Sequence, residues 1–181
     1  NLKALNFKLD GAFIFCNTEI NNKDEEISQF DQIANLLTEN KVRYKPITSK
    51  RKMFTRKTNL EVFSKGDADV VLAIDCLDEG IDVPSAKMAF ILSSTSNEKQ
   101  YIQRRGRVLR KSKDDPHKVA EIYDFVCFPP SLEDKDKRMT KGIISNQLKR
   151  AMKFSKISNN FDTNIKYIHS VAEKWEIELD D

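Results

Sequence analysis

"AFIFC", residues 12–16, is a continuous apolar run bounded by Gly11 and by Asn17-Thr18. A run without polar alternation reads as a strand buried on both faces, the habit of parallel sheets covered by helices. "DVVLAI" (residues 69–74) and "MAFIL" (88–92) repeat the pattern, and Val42–Ile47 and Val119–Phe128 are also strand-like. Between the strands, Asp24–Asn40 carries Ile27, Phe30, Ile33, Ala34 and Leu37 at helical spacing. Met53–Ser64 sets Leu60 and Phe63 one turn apart, with Gly66 as its stop. Thr95 and Glu98 have the form of a capping box opening a helix that carries Tyr101 and Ile102. This alternation predicts an α/β fold with a mostly parallel sheet flanked by helices.

Pro129-Pro130 punctuates the chain, and beyond it Leu132–Ile157 and Asn164–Ile177 read as helices with no further strand. The expected organisation is an α/β domain over 1–130 and a helical extension over 131–181 packed on it. Ile144, Leu148, Ala151 and Met152 are expected to cover the sheet, and Trp175 to anchor the last helix.

The chain has 181 residues, a third of them charged, and a formal net charge of only +3. Charge distribution therefore informs more than charge total. Three cysteines (Cys16, Cys76, Cys127) and two histidines (His117, His169) stand in no metal-ligand or disulfide spacing. Cys16 and Cys127 lie in apolar runs and are expected as small buried hydrophobes. No signal peptide or membrane-length apolar run is present, so a cytoplasmic location is expected. The start at Asn1 without methionine suits a fragment of a longer protein.

In open α/β sheets, ligands sit beyond the carboxyl ends of the strands. There the sequence places Asn17-Thr18, Thr48-Ser49, Asp75 and Ser93-Ser94. Such groups suit phosphate oxygens, or serve as ordinary turn formers and caps. "YIQRRGRVLRKSK", residues 101–113, is more specific. On a continuing helix, Gln103, Arg107 and Arg110 share one face, and two like-directed guanidiniums call for an anion such as a triphosphate. A general basic patch is the other reading. "LDEGIDVPSA", residues 77–86, follows the strand ending at Ile74; Gly80 permits close backbone approach and Asp82 can accept from ribose hydroxyls, though a solvated turn has the same composition. From Lys135 to Lys156 there are eight basic residues and one acid, with Lys149, Arg150, Lys153 and Lys156 forming a stripe. It is either a solvated helix face or a contact to nucleic-acid backbone.

Taken together, these stretches resemble the second RecA-like domain of superfamily 2 helicases and translocases. "QRRGRVLR" is similar to that family's motif VI, "DEGIDVP" to motif V and "AFIFCNT" to motif IV. Arg56, Leu60, Phe63 and Gly66 reproduce an R-x3-L-x2-F-x2-G pattern between them. The resemblance covers residues 12–110. It implies that Arg107 and Arg110 are arginine fingers for ATP held on a partner N-terminal RecA-like domain, with Gln103 sensing the γ-phosphate. It further implies nucleotide contacts at Gly80 and Asp82, and nucleic-acid contacts at Thr18, Thr48 and Ser49. Ile74 stands where the family often has a threonine. The "EGID" form and the leading Gln103 look more like translocating relatives, such as type III restriction subunits and excision-repair helicases, and favour DNA over RNA.

The 181 residues contain no G-x-x-x-x-G-K-[ST] loop and no D-E-x-[DH] box, so ATP with Mg²⁺ is expected to sit mainly on the partner domain. The fragment alone is then expected to be an inactive monomer. The alternatives are a non-catalytic RecA-like binding or scaffolding module, or an RNA helicase domain.

Overall fold

A computed structural model describes residues 9–16, 27–74, 86–92, 106, 117–128 and 137–179. The chain divides into two compact units, Asn1–Phe125 and Val126–Asp181. In the first, β1 (Ala12–Phe15), β2 (Tyr44–Thr48), β3 (Val70–Ile74), β4 (Met88–Ile91) and β5 (Glu121–Asp124) form one sheet in the order β2-β3-β1-β4-β5. Every pairing is parallel; Ala12 lies between Val70 on one side and Met88 on the other. The α/β expectation holds.

All residues of β1 and β3 are buried, as runs without polar alternation require. Their side chains alternate between two covered faces. Ala12, Ile14 and Cys16 join Val70, Leu72, Ile74 and Phe90 beneath Ile33 and Leu37 of α1 (Gln29–Glu39). On the other face, the Phe13 ring meets Phe63 of α2 (Met53–Ser64) edge-on, with centroids 5.2 Å apart. The two helices therefore cover opposite faces. Cys16 is buried as expected, its Sγ 3.6 Å from the Ala73 carbonyl, whereas Cys127 is exposed.

The helix expected from Asp24 begins only at Gln29. Ser28 is its N-cap and accepts from the Asp31 N–H at 3.2 Å, so Ile27 and Ser28 stand outside the helix. α2 has the expected bounds. It closes on Gly66 at φ +81°, with the Gly66 N–H bonded to Phe63 O and the Asp67 N–H to Val62 O. The capping box at Thr95 and the strand-end residues Asn17, Asp75, Ser93 and Ser94 lie outside the described residues.

The strand expected over 119–128 is shorter, Glu121–Asp124. Beyond the ladder, Cys127 is served by the amide of Gln147: its N–H donates to Oε1 at 2.9 Å and its carbonyl accepts from Nε2 at 3.3 Å. One side chain thus replaces a neighbouring strand. Within β5, Tyr123 stacks on Phe90 at 4.9 Å and donates to Glu121 at 2.5 Å. Burial, then the bond to Glu121 and its charge, push the phenol up to about 12.

The second unit is built from α3 (Lys137–Ser155) and α4 (Phe161–Lys174). α4 starts three residues before the expected Asn164. Ile144, Leu148 and Met152, spaced one turn apart, are met by Ile168 and Ala172 of α4. The stripe expected to cover the sheet thus has a partner within its own unit. Trp175 packs against that cluster and stacks on Phe128 at 5.4 Å, as an anchor should. Among the described residues no helix is long and apolar enough to cross a membrane.

Phe13→Ala removes a ring that is 1% exposed from the strand at the sheet's centre. It should cost about 3–5 kcal/mol, measured as a lower urea midpoint at unchanged slope. A loss under about 1 kcal/mol would mean that Phe63 does not depend on it. For Tyr123 the sign follows from a folded-state pKa above that of the unfolded chain. Its contribution is complete below about pH 10, the ordinary tyrosine value, and is lost as pH rises towards about 12. Alkaline unfolding of Tyr123→Phe should lack that component, and identical profiles would contradict it.

Candidate functional site

Because the five strands are parallel, their carboxyl ends share one edge, where Cys16, Thr48, Ile74, Leu92 and Phe125 leave the sheet or adjoin it. β1 is central, and the helices that follow β1 and β2 cover opposite faces. In open sheets of this kind, ligands bind beyond the carboxyl ends of the strands near such a reversal.

Two expected site residues stand on this edge within the described residues. Thr48 is the last residue of β2 and half-buried; Ser49 follows it and is exposed. The turn is closed by the Arg51 N–H donating to Thr48 O at 3.1 Å. α2 is tied to β2 by Asn59 Nδ2, which donates to Pro46 O at 2.8 Å. The helix therefore begins at the carboxyl edge with its first turn beside Ser49.

Thr18, Gly80, Asp82, Gln103, Arg107 and Arg110 lie outside the described residues. Within the arginine-rich stretch, Gly106 is described: it is helical and exposed, and a Cβ there would meet nothing within 4 Å. Of the helix expected there, only Gly106 lies within the described residues. Lys149 and Arg150 belong to α3 of the second unit, where both are half-buried while Lys153 and Lys156 are exposed.

The opposite edge of the sheet is pinned by ion pairs. Arg43 grips Asp69 with Nη2 at 2.6 Å and Nε at 3.1 Å, and Lys87 reaches Asp10 at 2.6 Å. The bond and the charge of Asp69 raise the Arg43 guanidinium further above its already high value. Acids concentrate at that edge, so these cations are already matched.

The carboxyl edge differs. From Thr48, where β2 ends, to Leu60 the chain carries five lysines and arginines and no acid. Lys50, Arg51 and Lys52 are exposed on the turn into α2, and Lys57 on its first turns. Arg56 lies on the inward stripe with Leu60 and Phe63, and its Nε is buried without an acceptor. Sequence reading passed over this patch, although its acid-free run was a sufficient signal. Among the described residues, no His, Cys, Asp or Glu cluster could hold a metal ion.

Comparison with known proteins agrees with this arrangement. A family model described as "Helicase conserved C-terminal domain" matches residues 5–112. The chain is 37% identical over 76 residues to "DNA 3'-5' translocase XPB2" of Sulfurisphaera tokodaii, which is 42% of this chain and 17% of that protein. It is 33% identical over 102 residues to "Putative ATP-dependent RNA helicase MJ1505" of Methanocaldococcus jannaschii, which is 49% of this chain and 13% of that one. Each match thus spans less than a fifth of the relative's length. In fold, the chain is similar to the C-terminal domain of the DEAD-box protein Dbp5, with a TM-score of 0.55 at 18% identity over 93% of this chain and 86% of that one.

Proposed function

The chain belongs to the helicase conserved C-terminal domain family, and we propose that it is the second half of the motor of an ATP-dependent helicase or translocase acting on DNA. The family match across residues 5–112 carries this reading. It is supported by the helical Gly106 inside the arginine-rich stretch and by the parallel sheet whose carboxyl edge bears Thr48 and Ser49.

ATP with Mg²⁺, bound mainly on a partner N-terminal RecA-like domain, supplies the phosphoryl group. The residues of this chain fit the other side of that ligand. They offer guanidinium and amide donors. Arg107 and Arg110 neutralise charge that builds on the transferring phosphoryl oxygens, and Gln103 reports the γ-phosphate. Gly80 and Asp82 meet the nucleotide and its ribose. Thr18, Thr48 and Ser49 hold the nucleic-acid backbone, with Lys149 and Arg150 adding backbone charge from the second unit. Fingers carried by one domain and used on another make hydrolysis depend on cleft closure, which links turnover to movement along the strand. Alone, this chain should turn over no ATP.

RNA as the substrate is a second reading, favoured by the match to a protein named as an RNA helicase. Comparing ATPase stimulation by DNA and by RNA in the whole protein decides between them.

Arg107→Ala and Arg110→Ala in the whole protein should each reduce nucleic-acid-stimulated ATPase by about 10³-fold or more, while ATP binding largely survives. Wild-type turnover in either variant overturns the finger assignment. Reversing Lys149 and Arg150 to glutamate should flatten the salt dependence of nucleic-acid binding by about one unit of slope or more. An unchanged slope would leave a solvated helix face.

A further inference from the structure

Phe54, the second residue of α2, is 80% exposed, and Met53 beside it is 47% exposed. Single exposed apolar residues are ordinary, but an adjacent pair at the mouth of a site is not. Here the pair is flanked by Lys50, Arg51, Lys52 and Lys57, all exposed. No acid lies nearer in sequence than Glu39 on one side and Glu61 on the other. Lys57 follows Phe54 by three residues and so shares its side of the helix. Leu60 and Phe63 are buried on the inward stripe, so the ring at 54 takes no part in the core.

An exposed ring alone would suit many partners, but the cations around it select a polyanion. A partner offering both a flat apolar face and regularly spaced negative charge is a single-stranded polynucleotide. We propose that Phe54 is a stacking platform for an unpaired base, while Lys50, Arg51, Lys52 and Lys57 hold the phosphates on either side. The platform adjoins Thr48 and Ser49, so backbone and base contacts come from one continuous segment, residues 48–57. It rests on the nucleic-acid reading above and adds a contact to the bases themselves.

The test uses the 181-residue chain with labelled oligothymidylate of about 20 nucleotides, the matching abasic strand, and oligouridylate. Phe54→Ala should weaken binding to both base-bearing strands roughly five- to hundredfold. It should leave the abasic strand and the salt slope unchanged, and Phe54→Trp should restore affinity. Lys50→Ala with Lys52→Ala should instead lower the salt slope by about 0.7 per lost contact on all strands. Because Phe54 is largely exposed, Phe54→Ala should melt with wild type, which excludes unfolding as the cause.

Equal affinity of Phe54→Ala and wild type for the base-bearing strands overturns stacking. If salt-dependent binding persists there, the motor reading stands without it. A wild-type chain with no salt-dependent binding to any strand overturns the platform and weakens the nucleic-acid reading with it. Equal loss on thymidylate and uridylate places the contact on the base face, and loss on neither overturns it.

Discussion

The burial of β1 on both faces is the constraint on which the architecture depends. A strand reading Ala-Phe-Ile-Phe has no side it can turn to water, so it must have strands on both edges and helices on both faces. β3 and β4 supply the edges, and α1 and α2 the faces. Parallel pairing then gathers every strand's carboxyl end on one edge. The reversal of direction around β1 opens that edge to loops. Core packing thus decides where chemistry can happen before any polar residue is considered.

Charge is sorted along the same axis. At the amino edge, Arg43 and Lys87 are bound to Asp69 and Asp10, so these cations serve the fold. At the carboxyl edge the turn into α2 carries cations with no nearby acid in sequence. Exposed ion pairs contribute little to stability, so placing the matched pairs away from the site costs the fold little. Unmatched cations at the site keep their full attraction for a polyanion. A nearly neutral chain can therefore present a basic segment at the turn into α2.

Most of the fold was legible because apolar runs and helical spacing report burial directly. β1, β3, β4 and α2 follow from such runs within a residue or so. Two of the misread ends lie beside a single side-chain bond. Ser28 starts α1 late by capping it, and the Cys127 backbone, expected within a strand, is bonded by Gln147 instead. Neither bond has a periodicity. The apolar stripe of α3 was visible, but pattern alone does not say which surface meets it; Ile168 and Ala172 do. The candidate site was legible at one strand end, where Thr48 and Ser49 stand on the carboxyl edge; its motif residues lie outside the described residues. Phe54 was not legible, because an aromatic residue early in a helix looks the same in sequence whether it is buried or exposed.

A motor that moves along a strand meets a conflict between grip and passage. Phosphate contacts recur at every nucleotide and are nearly indifferent to sequence, so they hold a strand while offering little resistance to sliding. Arginines that act on ATP from across a cleft add timing but not grip. A ring stacked on a base adds attraction with the period of one nucleotide, because the ring must leave one base before it meets the next. Placing that ring on the first turn of α2 ties it to the sheet through Asn59 and Pro46, so a movement of the domain is passed to the ring without slack. On the proposed reading, the chain after β4 carries the timing element and the chain after β2 the gripping element. On that reading, cleft closure would displace both together, and such coupling would give a hydrolysis cycle a step of defined length.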